Sequence, residues 1–451
     1  MARDRPQPDT GPTMSHNTMI LNLFFFNPQG DYRFSWRHPD APENEIFTLN
    51  YYTALARKAE AATLDALFIA DHTGIWDSGL AHYANARLEP LTLLSALAAV
   101  TDNIGLMATA STSYTEPYNL ARYFASLDFL SNGRASWNIV TSWLEEEAAN
   151  FGLEQIPQHG NRYQRAGEFI DVVTHLWDSW EDGALLFDKP RGLFADADKV
   201  HHLNHHGDFF KVRGPLNVPR PPQGHPVLVQ AGSSEAGKQL AASKADMHFV
   251  FIKSIEQGKA YREEMNQRLK ALGRSPEAFK IIAGVLPVVV NSEAEKAERQ
   301  QLNAQLMSDR MAIDLLSAYL KLDLSPYPYD KPLPPLPDEA NFDGIRTVLQ
   351  LIRDYDPALT ILELGRLLLQ SSDSWLVIGS AQEVADTLAE IYLSGAADGF
   401  NLMFPLLPGD FDRFAEQVAP ILKAKGVMKA EYAPGTLREK LGLPLARNHF
   451  A

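Results

Sequence analysis

The sequence predicts an α/β fold, a TIM (β/α)8 barrel with insertions that forms a single domain over residues 18–451. Three observations predict it. Short apolar runs alternate with stretches of helical periodicity, the alternation yields eight strand–helix units, and neither an internal repeat nor a domain-length linker divides the chain. A doubly wound sheet would share this alternation, but it would need a G-x-G-x-x-G turn after its first strand. Here that strand runs into Asn27-Pro28-Gln29-Gly30.

The predicted elements follow in order along the chain. Strands are expected at residues 20–26, 67–70, 104–108, 135–140, 227–230, 247–252, 281–290 and 399–404. Helical spacing of apolar residues predicts helices at 52–62, 90–100, 118–130, 162–180 and 411–423, with another starting at Ser234. The pairs Ser292 with Glu295 and Ser380 with Glu383 have the spacing of a capping box, so each serine should precede a helix.

Two irregular regions interrupt the alternation, at residues 181–225 and 307–374. The second is rich in proline and contains a helical piece at 342–355. Loops of this length inside a barrel are usually functional, so we expect both to close over the barrel mouth as lids. Residues 1–17 are polar and proline-containing, which predicts a disordered tail in which Met14 offers an alternative start.

Composition narrows the function classes. The formal net charge of −15 argues against a nucleic-acid-binding protein, which usually needs a basic face. The absence of cysteine excludes disulfides, thiolate catalysis and cysteine-ligated zinc. No signal peptide and no apolar run of membrane-spanning length is present, so we expect a cytoplasmic protein.

Enzymes with this fold act at the carboxyl ends of their strands. The residues at those positions are Asp71, His72, the segment 109–113 that starts with Thr109, Asn138, Thr141, Ser142, and the segment Gly232, Ser233 and Ser234, with His159 and Tyr163 beyond strand four.

The segment from Gly232 to Ser234 has the clearest physical interpretation. Backbone N–H groups and hydroxyls at a helix N-terminus, together with the helix dipole, favour an anion such as phosphate. A plain helix cap explains the serines equally well. Burying the amide of Asn138 costs about 1–3 kcal/mol unless it is satisfied, so this residue binds either a ligand or a neighbour inside the barrel. Asp71 could equally cap a helix or pair with a neighbouring residue.

A histidine-rich stretch comprises His201, His202, His205 and His206. Imidazoles four residues apart can bind zinc on a helix, but the surrounding Asn, Gly and Asp residues indicate a loop. A metal-dependent barrel hydrolase would also want a His-x-His at the end of strand one, where this chain has Phe26-Asn27. We therefore expect no metal site.

Several ordered motifs resemble the two-component FMN-dependent monooxygenases related to bacterial luciferase. The resemblance is greatest to the branch that contains nitrilotriacetate monooxygenase component A, dibenzothiophene-sulfone monooxygenase and pristinamycin IIA synthase. It extends over about residues 18–442. The motifs are 35–38 (SWRH), 68–71 (FIAD), 88–90 (LEP), 116–118 (EPY), 132–142 (NGRASWNIVTS), 150–152 (NFG), 159–163 (HGNRY), 211–223, 230–234 (QAGSS) and 395–400 (GAADGF).

The resemblance implies a luciferase-like barrel and an oxygenase that uses reduced FMN from a separate NAD(P)H:FMN reductase. O₂ would add to the flavin as a C4a-peroxide or hydroperoxide and oxygenate a small organic substrate. It implies that Asp71 and Thr109 contact the flavin ring region, that Asn138, His159 and Tyr163 line the flavin, and that Ser233 and Ser234 meet its phosphate. His159 and Asn138 are the predicted catalytic residues. A homodimer or homotetramer is expected.

Two alternatives stay open at this point: a deazaflavin-dependent oxidoreductase of the same superfamily, and a flavin-binding protein without turnover. The resemblance favours an amino-polycarboxylate or another small amine or acid as substrate, with sulfur heterocycles and aromatic compounds as alternatives. Candidates to meet a carboxylate are Arg33, Arg37, Arg191 and Arg213, although basic side chains on loops are usually only solvated.

Overall fold

A computed structural model describes residues 18–75, 80–336, 349, 352–353, 355–370 and 374–451, apart from the side chains of His159 and Gln370. The described strands are β1 (Ile20–Phe25), β2 (Ala66–Ile69), β3 (Gly105–Ser111), β4 (Ala135–Val140), β5 (Leu185–Asp188), β6 (Leu193–Ala195), β7 (His205–His206), β8 (Lys211–Val212), β9 (Val227–Gln230), β10 (Met247–Val250), β11 (Lys280–Val289), β12 (Trp375–Gly379) and β13 (Gly399–Leu402).

Parallel pairing closes eight of these strands into a barrel, in the order β1, β2, β3, β4, β9, β10, β11 and β13 and back to β1. Each barrel strand is one that the sequence predicted, so the predicted (β/α)8 barrel is confirmed. Alternate side chains of these strands point inward, and Phe24, Phe68, Met107 and Phe249 are among those that fill the interior.

The described helices are α1 (Leu49–Ala61), α2 (Pro90–Ala98), α3 (Pro117–Leu130), α4 (Glu145–Asn150), α5 (His159–Asp178), α6 (Glu235–Lys244), α7 (Ile255–Ala271), α8 (Glu293–Leu306), α9 (Asp309–Leu320), α10 (Ile361–Gln370), α11 (Ala381–Leu393), α12 (Gly409–Arg413), α13 (Ala419–Ala424) and α14 (Leu437–Lys440). Ser292 and Ser380 cap α8 and α11 as predicted, and Glu383 completes the capping box at Ser380. At Ser292 the carboxylate of Glu295 instead accepts from Asn291.

The apolar faces of these helices pack against the outward side chains of the strands in one continuous cluster. Its largest fully buried members include Trp137 on β4 and Trp177 on α5. The predicted helix at 411–423 is interrupted by a π-helical turn over Phe414–Val418. The predicted tail at 1–17 and most of the predicted helix at 342–355 lie outside the described residues.

Five of the described strands were not predicted: β5 to β8, which form two short hairpins in the first insertion, and β12. Strand β12 pairs only with the second half of β11, from Val285 to Val289. Strand β11 has ten residues, and its pairing with β10 and β13 ends at Val285. The second half of β11 extends past the barrel and leaves an unpaired edge, along which β12 pairs. The alternation of apolar and polar residues within one segment does not predict such a strand.

The two insertions contact different parts of the barrel. The described contacts of 181–225 include Glu168 with His205 and Tyr118 with Pro215, so this segment packs beside α3 and α5. Helix α5 runs antiparallel to the barrel strands. The first insertion follows the C-terminus of α5 and therefore begins at the amino end of the barrel.

The second insertion does lie at the mouth. Helices α9 and α10 form an apolar cluster of their own, and this cluster includes Phe34, Tyr83 and Leu144 from the loops that follow β1, β2 and β4. The Tyr83 hydroxyl donates a 2.5 Å hydrogen bond to the carbonyl of Met311 on α9.

The amino end of the barrel is closed by the C-terminal arm. Leu437, Leu441 and Leu443 belong to the same apolar cluster as the inward side chains of the barrel strands. Arg438 is buried and forms a bidentate pair with Asp246, at 2.7 and 3.1 Å. In the described part of the chain, no helix is both long and apolar enough to cross a membrane.

Candidate active site

The carboxyl ends of four neighbouring strands, β2, β3, β4 and β9, carry the predicted site residues. Thr109 and Asn138 are direct partners in the register of β3 and β4. Asn138 Nδ2 donates to Thr109 Oγ1 at 2.9 Å, and Thr109 Oγ1 donates to the carbonyl of Ile69 at 2.8 Å. Asn138 is 3% exposed, and its Oδ1 has no partner among the described residues. An acceptor atom is therefore available inside the mouth.

Asp71 and His72 follow β2 and share their surroundings with Arg87. Burial raises the pKa of Asp71 from 3.8 to about 6, and Arg87 opposes that rise. Burial, with Arg87 beside it, lowers the pKa of His72 to about 4, so the ring is neutral at pH 7. Arg87 lies 4.3 Å from the ring centroid of Phe26, and its guanidinium is 3.4 Å from His72 Nε2. This side of the mouth thus combines an arginine with a carboxyl group of near-neutral pKa.

Two loops of the mouth are joined by the buried carboxylate of Glu147. It accepts from the backbone and hydroxyl of Thr73, from the hydroxyl of Ser142, and from the backbone of Trp143 and Leu144, at 3.0–3.3 Å. Ser142 has a positive φ of 52°, a conformation that is rare outside glycine. Glu147 therefore fixes a strained loop at the edge of the site.

The loop after β9 leads into helix α6. Ser234 is the N-cap, and its hydroxyl accepts from the backbone N–H of Gly237 at 3.2 Å. Ser233 is exposed just before it. The hydroxyl of Tyr163 lies beside Gly232, since a Cβ there would be only 2.7 Å from it. Both the cap and the anion-site interpretations fit this geometry, because the cap uses only one lone pair of the Ser234 hydroxyl.

An open cleft of about 220 Å³ lies at the mouth, lined by residues on or after β1, β10 and β13 and by the second insertion. Aromatic and aliphatic side chains dominate its walls, including Phe24, Phe26, Phe251 and, from the second insertion, Tyr319 and Leu368. Arg33 also lines it and donates to the Tyr319 hydroxyl at 3.1 Å. Tyr319 on α9 and Leu368 on α10 place this cleft beside the second insertion, and its aromatic side chains suit the face of a flat ring.

The structure brings most, but not all, of the predicted residues to the mouth. His159 is the first residue of α5, and its side chain lies outside the described residues. Of the four candidate arginines only Arg33 lines the cleft. Arg37 donates to the carbonyl of Leu306, while Arg191 is exposed on the first insertion beside Asp188.

The histidine-rich stretch is engaged elsewhere. His201 pairs with Glu181 at 2.7 Å and His205 with Glu168 at 2.9 Å. Within the part of the chain that the structure describes, no group of three or more His, Cys, Asp or Glu residues is arranged to hold a metal ion.

Comparison with known proteins decides the family. The chain matches the luciferase-like monooxygenase family over residues 31–398. It belongs to this family. The resemblance inferred from the motifs is thereby confirmed, and the protein is a flavin-dependent monooxygenase of the two-component type.

This luciferase-like monooxygenase has relatives that match almost end to end. It is 44% identical to N-acetyl-S-(2-succino)cysteine monooxygenase of Bacillus subtilis (strain 168), covering 95% of this chain and 97% of that one. It is 41% identical to nitrilotriacetate monooxygenase component A of Aminobacter aminovorans, covering 96% and 98%. Among solved structures, DmoA from Hyphomicrobium sulfonivorans has a TM-score of 0.83 at 32% identity, covering 94% of this chain and 92% of that one.

The sequence analysis of this luciferase-like monooxygenase did not identify several residues that the structure places at or near the site. Arg87 lies in a loop whose position only the packing against Phe26 reveals. Glu147 sits in a run of three glutamates, and nothing in that run marks it as the buried one. His248 and Tyr261 lie outside every motif identified in the sequence. No local signal could have found these residues, because each acts through contacts between distant elements.

Proposed function

We propose that this protein is an oxygenase component that takes reduced FMN from a separate NAD(P)H:FMN reductase and transfers one oxygen atom from O₂ to a small anionic substrate. The observation that carries the proposal is the row of polar groups at the carboxyl ends of four neighbouring strands, from Asp71 through Thr109 and Asn138 to Ser233 and Ser234. An aromatic cleft lies at the same end of the barrel, beside β1, β10 and β13. Near-complete matches to monooxygenases, one of them named component A, support it.

The described residues fit FMN. The unpartnered Oδ1 of Asn138 suits a ring N–H of the flavin, and the flat aromatic walls of the cleft suit its ring system. Ser233, the second lone pair of Ser234 and the free N–H groups in the first turn of α6 suit a phosphate. We propose that Asp71, Thr109 and Tyr163 complete the binding site.

Reduced FMN, when bound, supplies the electrons that activate O₂. The chain itself supplies binding and shelter. Asn138 orients the flavin, Ser233 and Ser234 hold its phosphate, and the α9–α10 layer keeps water from the reacting centre. We propose that His159 donates a hydrogen bond there, and intact turnover in His159→Ala would contradict that role.

The proposed substrate is a carboxylate-bearing amine or thioether. The two relatives with the highest identities above act on nitrilotriacetate and N-acetyl-S-(2-succino)cysteine, whose names describe carboxylated compounds built on nitrogen and on sulfur. Arg33 in the cleft wall and Arg87 beside Asp71 supply positive charge near the site. Arginine binds carboxylates through paired N–H donors.

The decisive experiment supplies enzymatically reduced FMN and O₂ to the protein with a panel of carboxylated amines, thioethers and neutral heterocycles. Mass spectrometry should show a gain of one oxygen or a cleaved fragment for an anionic member. Arg33→Ala should then raise KM for that substrate about tenfold, and the exposed Arg191→Ala serves as the matched control. Turnover only of neutral compounds would contradict the substrate class. Binding of deazaflavin in preference to FMN would contradict the cofactor.

We further propose a cytoplasmic homodimer or homotetramer. A cytoplasmic location gives access to NAD(P)H-dependent flavin reduction. Tyr123, Phe129 and Leu130 on α3 are 51%, 42% and 66% exposed, which supports a contact between copies. Light scattering of the purified protein measures the assembly, and a strictly monomeric protein would contradict it.

A further inference from the structure

His248 is buried on the outward side of β10, and both of its ring nitrogens have a partner. Nε2 lies 3.1 Å from the carbonyl oxygen of Gly232, and Nδ1 lies 2.7 Å from the hydroxyl of Tyr261 on α7. A carbonyl oxygen only accepts, so Nε2 carries the proton and Nδ1 accepts from Tyr261. Burial lowers the pKa of His248 to about 4, which keeps this neutral tautomer at pH 7.

This contact orients the peptide bond between Gly232 and Ser233. The bond is trans, and in a trans peptide the C=O and N–H groups point in opposite directions. Because His248 draws the Gly232 carbonyl toward β10 and α7, the Ser233 N–H must point away from them. That N–H has no acceptor in the described part of the chain, and Ser233 is exposed. It is a donor available to an anion.

Two further contacts constrain the same peptide. A Cβ at Gly237 would lie 2.4 Å from the Gly232 carbonyl oxygen, so α6 packs directly on the loop. A Cβ at Gly232 would lie 2.6 Å from Gln230 Nε2. Gln230 is 3% exposed, and its Oε1 has no partner among the described residues. Packing of α6 and the Gln230 side chain leave the peptide little room to rotate.

The lysine in the first turns of α6 does not replace this donor. Lys238 lies on α6 with its Nζ 2.9 Å from the Glu264 carboxylate and 3.3 Å from that of Glu235. Its charge is thus already paired. Recognition of a phosphate at this helix end would depend on correctly directed N–H groups and hydroxyls, which makes the direction of the Ser233 peptide decisive.

We propose that His248 and Tyr261 are positioning residues that aim the Ser233 N–H at the flavin phosphate. The inference rests on the proposed function, in which the segment from Gly232 to Ser234 receives that phosphate. The pair touches neither cofactor nor substrate. It acts through the carbonyl of Gly232, and its effect is selectivity for FMN over riboflavin, which lacks the phosphate.

The test compares binding of reduced FMN and reduced riboflavin under anaerobic conditions. His248→Phe should lower the ratio of the two affinities about tenfold, with riboflavin affinity unchanged, because only the phosphate contact is lost. Tyr261→Phe, which removes one hydroxyl and so preserves folding, should lower the ratio less. His248→Gln keeps an N–H donor and should restore part of the selectivity. Tyr392→Phe on α11 is the matched control.

Two outcomes would overturn the inference. Equal weakening of both ligands would assign the pair a merely structural role, and an unchanged ratio in all variants would remove any role. The double variant Ser233→Ala/Ser234→Ala distinguishes failure of the positioning role from failure of the proposed function. If that double variant and the His248 and Tyr261 variants all keep full selectivity, the phosphate site itself is wrong. If it loses selectivity while the His248 and Tyr261 variants keep theirs, only the positioning role fails.

Discussion

The carboxylate of Glu147 accepts a hydrogen bond from the backbone N–H of Thr73 at 3.0 Å, across 74 residues of sequence. Glu147 is 1% exposed, it also accepts from the Thr73 hydroxyl, and its remaining donors come from the loop that follows β4. One side chain thus fixes the spacing between the loop that carries Asp71 and the loop that follows Asn138. A Cβ at Gly74 would lie 2.9 Å from the Glu147 backbone N, so the two loops also touch directly.

Glu147→Gln should destabilise the protein by about 1–3 kcal/mol, because its amide group would face backbone N–H donors that need an acceptor. Flavin affinity should fall as well, since both loops border the site. Urea unfolding and flavin titration measure the two effects. The neighbouring Glu146→Gln is the control and should change neither. Wild-type stability in Glu147→Gln would show that the carboxylate contacts are not needed.

Asn138→Leu should raise the dissociation constant for flavin about tenfold, because it removes the unpartnered acceptor while keeping the volume. Stability should change by no more than about 1 kcal/mol, since an unsatisfied buried oxygen disappears with the amide. Asn22→Leu is the matched control. Asn22 is also buried inside the barrel, where it donates to Asn401 at 2.9 Å, so its loss should reduce stability and leave flavin affinity intact.

Asp71 predicts a pH dependence. Its folded pKa of about 6 is above the unfolded value of 3.8. Its stabilising contribution is therefore complete below the unfolded pKa and is lost as pH rises through about 6. Asp71→Asn should accordingly gain stability relative to the wild type across that window, as pH-dependent unfolding curves would show.

The same group affects flavin binding if the ionised carboxylate meets the flavin ring. Affinity for the reduced flavin should then rise with pH through about 6, and Asp71→Asn should lack this inflection. His72, with a pKa of about 4, does not titrate in that window. An inflection that persists in Asp71→Asn would assign the titration to another group.

Substitution of Arg438, at the opposite end of the barrel from the site, should change stability without changing flavin binding. Burial works against ionisation of Asp246, but the Arg438 guanidinium beside it lowers the pKa of that carboxyl group. Arg438→Met leaves this buried charge alone and should cost about 3–5 kcal/mol in unfolding free energy. Flavin affinity of the folded variant should be unchanged, and Arg447→Met in the same arm is the control. A marked loss of flavin affinity would contradict this separation of the two barrel ends.

The barrel was accessible from the sequence because each strand–helix unit is encoded locally. The run at β1 and the helix at α1 show their periodicities within a few residues, and turn residues separate them. Strand β12 was not accessible, because it exists only where the end of β11 leaves an edge open. The same holds for the path of residues 181–225, which follows from the direction of α5 rather than from composition.

By itself, the sequence determined the eight barrel strands, the helix that starts at Ser234, and the set of polar residues that follow the strands. These features depend on periodicity and on residue types within one element. Only the tertiary structure decided that Glu147 joins two loops, that Arg33 is the candidate arginine that lines the cleft, and that His248 orients the peptide at Gly232. Such contacts join elements that are distant in sequence, and closure of the barrel is what brings them within hydrogen-bond range.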